Sequence, residues 1–254
     1  MKAPLVLLPF IAALAGCAAH TAATLTPAPG TAGAQVETSF RQVVSKTNEY
    51  RFLLSLPKDY AADPARKWPL VLFLHGAGER GTDVQKVAVH GPPKLVKQGR
   101  DFPFILASPQ CPEGQVWDAD ALIGLVDTLQ EQLRVDPKRT YATGLSMGGY
   151  GTWSLALKYP DRFAAVAPIC GGGETIRALL PAKHQALKSL GVWTFHGGKD
   201  TVVLPAESER MMDAFKRAGV SDLKLTLYPD AGHDSWTEAY NTPALYDWLL
   251  QHSR

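Results

Sequence analysis

The chain has 254 residues, 46% of them hydrophobic and 20% charged, and its 26 basic and 24 acidic side chains leave a formal net charge of +2. These values suit one globular α/β domain of ordinary size, with no internal repeat and no second domain. No basic run and no interleaving of basic with aromatic residues is present, which excludes nucleic acid as the expected partner.

The first residues stand apart. Lys2 precedes an apolar run over residues 4–15 that is too short to span a membrane as a mature helix and has the shape of a signal-peptide core. It ends Leu14-Ala15-Gly16-Cys17, which resembles the lipobox of bacterial lipoproteins. That resemblance implies a signal peptide over residues 1–16 and lipidation of Cys17 as the mature N-terminus. Ala18 is not aspartate, so it also implies retention at the outer membrane, facing the periplasm or the surface. An ordinary secretory signal cut near Ala19 is the alternative. Residues 18–39 are rich in Ala, Thr, Pro and Gly and nearly uncharged, so with Cys17 they read as a lipidated, flexible tether over residues 17–39. Such a segment spans roughly 25 Å on average. The catalytic domain is expected over residues 40–254.

Within it, residues 40–45 and 50–56 read as two antiparallel strands, and 69–74 as the first buried parallel strand. Residues 84–97 read as partly helical, broken at Gly91-Pro92-Pro93, and 104–108 as a strand. Leu122, Val126, Leu129 and Leu133 recur at helical spacing over 119–133. A buried strand over 139–143, a helix over 149–157 and a strand over 163–169 follow. The chain closes with a strand from Val192, a helix over 207–218 stopped by Gly219, a strand over 223–228 and a helix over 243–251. This alternation predicts right-handed crossovers and a mainly parallel central sheet with helices on both faces.

Between the strand at 139–143 and its helix lies Gly144-Leu145-Ser146-Met147-Gly148. A G-x-S-x-G turn between strand and helix is a nucleophile elbow, tight enough to strain its middle residue and lift the serine hydroxyl clear of the sheet. The helix N-terminus behind it favours negative charge. A serine hydroxyl is a poor nucleophile until an imidazole takes its proton, and a carboxylate must hold that imidazole in one tautomer. In the order Ser, Asp, His, the candidates are Asp200, in the motif His196-Gly197-Gly198-Lys199-Asp200 where the strand from Val192 ends in a Gly turn, and His233, in Gly232-His233 after the strand at 223–228. Both sit past strand C-termini, the edge where open α/β sheets bind ligands. Asp230 and Asp234 flank His233 and are rival carboxylates, but too local to reach the far ring nitrogen as comfortably.

The strand at 69–74 runs into His75-Gly76-Ala77-Gly78-Glu79-Arg80-Gly81. This resembles the HG-rich loop that supplies one backbone N–H to an oxyanion hole, the other coming from the residue after the nucleophile, here Met147. Ala77 is the preferred donor in the loop, with Gly76 or Gly78 as alternatives. His75 is expected to hold the loop by hydrogen bonds, and Glu79 and Arg80 to brace it as a pair.

Together with Pro109-Gln110-Cys111-Pro112 followed by Trp117, and Ala167-Pro168-Ile169-Cys170-Gly171-Gly172, these motifs span about residues 40–250. In them the chain resembles the α/β-hydrolase serine esterases. It is nearest to single-domain esterases often labelled predicted peptidases or phospholipase/carboxylesterases, related to feruloyl esterases, polyhydroxybutyrate depolymerases and dienelactone hydrolase-like proteins. The resemblance implies an α/β-hydrolase fold and a serine carboxylesterase that forms an acyl-enzyme on Ser146. The expected substrates are short-acyl or aryl esters of acetyl or feruloyl type, on a small molecule or a polysaccharide. Two other readings stay open: a serine peptidase of the prolyl-oligopeptidase type, and a non-catalytic surface binding protein on a hydrolase scaffold. Trp117 is a candidate for the substrate pocket or equally an anchor for its own loop. Only some twenty residues separate the strand ending near Ile169 from the next, too few for a cap domain. No cofactor is expected, no Cys/His spacing fits a metal site, and the protein is expected to be a monomer. Cys111 and Cys170 lie past non-neighbouring strands and are expected to be free thiols, although the compartment would allow a disulfide.

Overall fold

The computed structural model describes residues 45–254. The signal sequence, Cys17, the tether and all but the last residue of the strand expected over 40–45 lie outside the described residues. Residues 45–48 close a first unit and carry no regular secondary structure; residues 49–254 form the second, compact unit.

The chain order of that unit is β1 (Phe52–Ser55), β2 (Trp68–Leu74), α1 (Gly91–Lys97), β3 (Ile105–Pro109), α2 (Ala119–Gln132), β4 (Val135–Leu145), α3 (Met147–Lys158), β5 (Ala165–Ile169), α4 (Thr175–Ala178), α5 (Pro181–Leu187), β6 (Gly191–Gly197), α6 (Ala206–Arg217), β7 (Leu223–Tyr228), α7 (Trp236–Asn241) and α8 (Pro243–Gln251). The seven strands form one sheet in the order β1-β3-β2-β4-β5-β6-β7. Only β1 runs antiparallel, paired with β3; the other pairs are parallel.

Apolar residues of period two hold the layers together. Leu70, Leu72 and Leu74 of β2 pack with Leu122, Val126, Leu155 and Phe215, from α2, α3 and α6. Val71 and Phe73 point the other way, to Tyr240, Leu245 and Leu249 from α7 and α8. Both faces of the sheet are therefore covered, and its parallel core strands are buried along their length. This is the α/β-hydrolase fold that the resemblance implied. Gly91-Pro92-Pro93 does not merely interrupt a helix: it starts α1, with proline in the first turn, where a missing N–H costs no hydrogen bond. Residues 170–190 build only α4 and α5, so among the described residues no cap domain stands between β5 and β6.

The path from β2 goes outward to β3, and from there the chain crosses back past β2 to β4. The loops leaving the C-terminal ends of β2 and β4 thus diverge at the reversal of strand order, where a doubly wound sheet opens a crevice. Leu74 pairs with Gly144 in register, which sets the His75 loop beside the Ser146 turn.

Candidate active site

The turn carrying Ser146 is dictated by two glycines. A Cβ on Gly148 would lie 1.9 Å from the Leu74 carbonyl oxygen, and one on Gly144 would lie 2.4 Å from that of Gly148. No larger residue fits at either position. Ser146 between them has φ 52° and ψ −116°, a conformation rare for any residue but glycine. The Ile169 carbonyl holds its backbone N–H at 2.9 Å.

Three side chains from three loops meet there. The Ser146 hydroxyl lies 2.9 Å from His233 Nε2, and His233 Nδ1 lies 2.7 Å from Asp200 Oδ2. Nδ1 faces a carboxylate and so carries the ring proton, which leaves Nε2 as the acceptor for the serine hydroxyl. The other Asp200 oxygen accepts the N–H groups of Val202 at 2.9 Å and Val203 at 3.0 Å. Burial pushes the Asp200 carboxyl up, but the hydrogen bonds from His233, Val203 and Val202 outweigh it and hold its pKa below the ordinary 3.8. The two rival carboxylates are occupied elsewhere. Asp230 is exposed and pairs with Lys199 at 2.6 Å, and Asp234 accepts from the backbone and hydroxyl of Thr237, each at 3.0 Å, in the first turn of α7.

The His75 loop abuts the nucleophile: a Cβ on Gly76 would stand 3.7 Å from that of Ser146. The Gly76 N–H donates to Glu79 at 2.9 Å, which removes it as a free donor. Ala77 and Met147 are each the first residue of a helical turn, where the backbone N–H has no intrahelical acceptor. Glu79 and Arg80 brace the loop separately rather than as a pair. Glu79 holds Gly76, and Arg80 donates to the carbonyls of Ala77 at 2.9 Å and Gln115 at 3.2 Å.

His75 is fully buried. Its Nε2 accepts the Cys111 N–H at 2.9 Å, so Nδ1 carries the proton and donates to the Gly76 carbonyl at 2.6 Å. Burial, helped by Arg80 and opposed by the Gly76 carbonyl, pushes its pKa from 6.5 down to about 4. A folded-state pKa below the unfolded one means that the unfolded chain binds more protons between these values. The stabilisation is therefore complete above about pH 6.5 and is lost as pH falls toward about 4. Its full size is roughly 3 kcal/mol. Urea unfolding of the wild type and of His75→Gln from pH 7 to pH 4 should show a shallower loss for the variant, and parallel curves would remove this role.

Trp117 anchors its own loop and also borders a cavity. Its indole N–H donates to the His75 carbonyl at 3.1 Å, anchoring the loop, while its ring lines a cavity of about 660 Å³ that begins at Ser146. The rest of its lining comes from Val116, from Met147, Tyr150, Gly151, Ser154 and Leu157 of α3, and from residues 172–174 and Arg177.

Two features escaped the sequence reading. His196, fully buried in β6, sets Nε2 at 3.2 Å from Asp200 Oδ2 and 2.8 Å from the Val203 carbonyl, so it buttresses both the carboxylate and the turn that holds it. Its place in the His196-to-Asp200 motif was the available signal. The Trp236 ring packs edge-on against that of His233 at 5.2 Å, from a short helix that no periodicity announced. Cys111 and Cys170 are free and buried. Burial raises their thiols to about 11 and about 12, so both stay protonated and inert. Their strands β3 and β5 are separated by β2 and β4, roughly 14 Å across the sheet.

A hydrogen-bonded Ser–His–Asp chain at the carboxyl edge of this sheet defines the class, an α/β-hydrolase with the site architecture of serine hydrolases. The chain belongs to the esterase family: the family described as "Putative esterase" matches residues 45–172, and the dienelactone hydrolase family matches residues 113–244. Among curated relatives, it is 25% identical to poly(3-hydroxyalkanoate) depolymerase C of Paucimonas lemoignei over 72% of this chain and 53% of that one. It is 26% identical to the bifunctional acetylxylan esterase/xylanase XynS20E of Neocallimastix patriciarum over 71% of this chain and 26% of that one. The chain thus spans about half of the first of these relatives and a quarter of the second. The crystal structure of a thermostable esterase superposes with a TM-score of 0.66 at 32% identity, covering 80% of this chain and 59% of that one.

Proposed function

We propose that the protein is a serine carboxylesterase acting by two-step acyl transfer. The observation that carries this is the chain of contacts from Ser146 through His233 to Asp200, closed at 2.9 and 2.7 Å. Ser146 attacks the ester carbonyl while His233 takes its proton, and Asp200 stabilises the imidazolium. The N–H groups of Met147 and Ala77 receive the oxyanion. His233 then protonates the departing alcohol, and water, deprotonated by the same imidazole, releases the acid from the acyl-enzyme. The substrates are esters whose acyl part is short or aromatic, of acetyl or feruloyl type, on a small or a polysaccharide alcohol. The acetylxylan esterase relative supports this range, as does the lack, among the described residues, of a cap domain between β5 and β6. Turnover of p-nitrophenyl and feruloyl esters, with covalent labelling by a fluorophosphonate, tests the reading; no turnover and no label would overturn it.

On the sequence alone, we propose that the protein is an outer-membrane lipoprotein anchored through Cys17. Acyl chains on one residue would hold it, since the tether is too polar to do so. Made at full length in a Gram-negative host, it should fractionate with membranes, and Cys17→Ala should release it or block its maturation. A mature N-terminus found by mass spectrometry at an unmodified residue other than Cys17 would remove the claim.

A further inference from the structure

The cavity at Ser146 extends well beyond the space an acetyl group needs. Part of its lining is a stripe of α3 on which Met147, Gly151, Ser154 and Leu157 follow one another at spacings of three and four residues. Between the first and the last of these the helix rises roughly 15 Å. The stripe is kept low by small residues. A Cβ on Gly151 would come within 2.9 Å of Trp117, so the glycine lets that ring sit close against the helix. Ser154, one turn further, is half-buried and has the smallest side chain beyond it, and the buried Leu157 closes the far end.

The direction of the trough says which part of a substrate occupies it. None of the residues in the turn that carries His233 lines it. The leaving oxygen must lie beside the imidazole that protonates it, so the alcohol occupies the His233 side and the acyl group leaves the reacting carbon on the other. The trough runs from Ser146 along that other side. Its charged groups, Glu174 and Arg177, pair with each other at 2.6 Å. They leave no unpaired charge to hold an anionic group, and the remaining walls are mostly apolar.

We propose that the acyl group binds extended along α3, passing over the small side chain of Ser154 toward Leu157, so that elongated neutral acyl groups, linear or aromatic, are preferred to acetyl. This rests on the reading of Ser146 as the nucleophile and goes beyond its short-acyl and aromatic range by admitting longer linear acyl groups. The test uses full-length protein and three soluble probes: p-nitrophenyl acetate, butyrate and octanoate. In the wild type the ratio of kcat/KM for octanoate to that for acetate should exceed one. Ser154→Phe, which blocks the trough, should lower that ratio at least about tenfold, the effect of losing the burial of about two methylenes. Ser154→Leu is a smaller plug and should shift the ratio in the same direction, which covers failure of the Phe variant to fold. A ratio unmoved by either plug, or a wild type that favours acetate, overturns the inference while the esterase reading stands. A wild type that cleaves none of the three overturns both.

Discussion

Ser146→Ala is expected to abolish ester hydrolysis while leaving the fold intact. In the proposed mechanism the hydroxyl is the group that attacks, and members of such a triad act as a unit, worth up to about 10⁶ in kcat. The fold should survive because what shapes the turn is backbone: the approach of Leu74 to Gly148, the Ile169 carbonyl on the Ser146 N–H, and the absence of side chains at Gly144 and Gly148. Alanine tolerates the unusual φ of 52° no worse than serine does. Turnover of a p-nitrophenyl ester by pure variant, with circular dichroism as the check on folding, decides the matter. More than a few per cent of wild-type activity in folded protein would sink the assignment of the nucleophile.

Asp200→Asn should lower kcat by about 10⁴, the size of the corresponding loss in a comparable triad. Asp230→Asn and Asp234→Asn should cost little. The reason lies in the acceptors that Asp200 supplies. One oxygen receives two backbone N–H groups, and the other faces His233 Nδ1 with His196 Nε2 at 3.2 Å. An asparagine amide cannot serve both sides. With its NH₂ toward His233 it imposes the tautomer in which Nε2 carries the proton and cannot take one from serine. Turned round, it sets a donor against the N–H groups of Val202 and Val203. Asp230 faces Lys199 and Asp234 caps α7, so neither substitution touches the imidazole. If either of them proves more damaging than Asp200→Asn, the chosen acid is wrong.

The local architecture of the site was legible in the chain because short-range sterics and periodicity encode it. A continuous apolar run marks β2, and its neighbours fill in the sheet. Gly144 and Gly148 announce a backbone approach that no side chain survives, and the order of Ser146, Asp200 and His233 fits three loops at one sheet edge. What spacing could not supply was the outcome of competition between distant groups. Only the folded chain shows that Glu79 consumes the Gly76 N–H, which leaves Ala77 and Gly78 of the loop's candidates. Only the packing of the Trp117 loop on α3 turns a serine two turns past the elbow into part of a trough. His196 gains its contact with Asp200 because β6 and the turn after it fold back on each other. The sequence by itself determined the sheet strands and longer helices, the elbow and the three candidate reacting groups, since each is set by residues near in the chain. The tertiary structure decided which donors remain free, which side chains support the triad and where a cavity opens beside Ser146. Those depend on strand order and on contacts between residues far apart, which no local pattern carries.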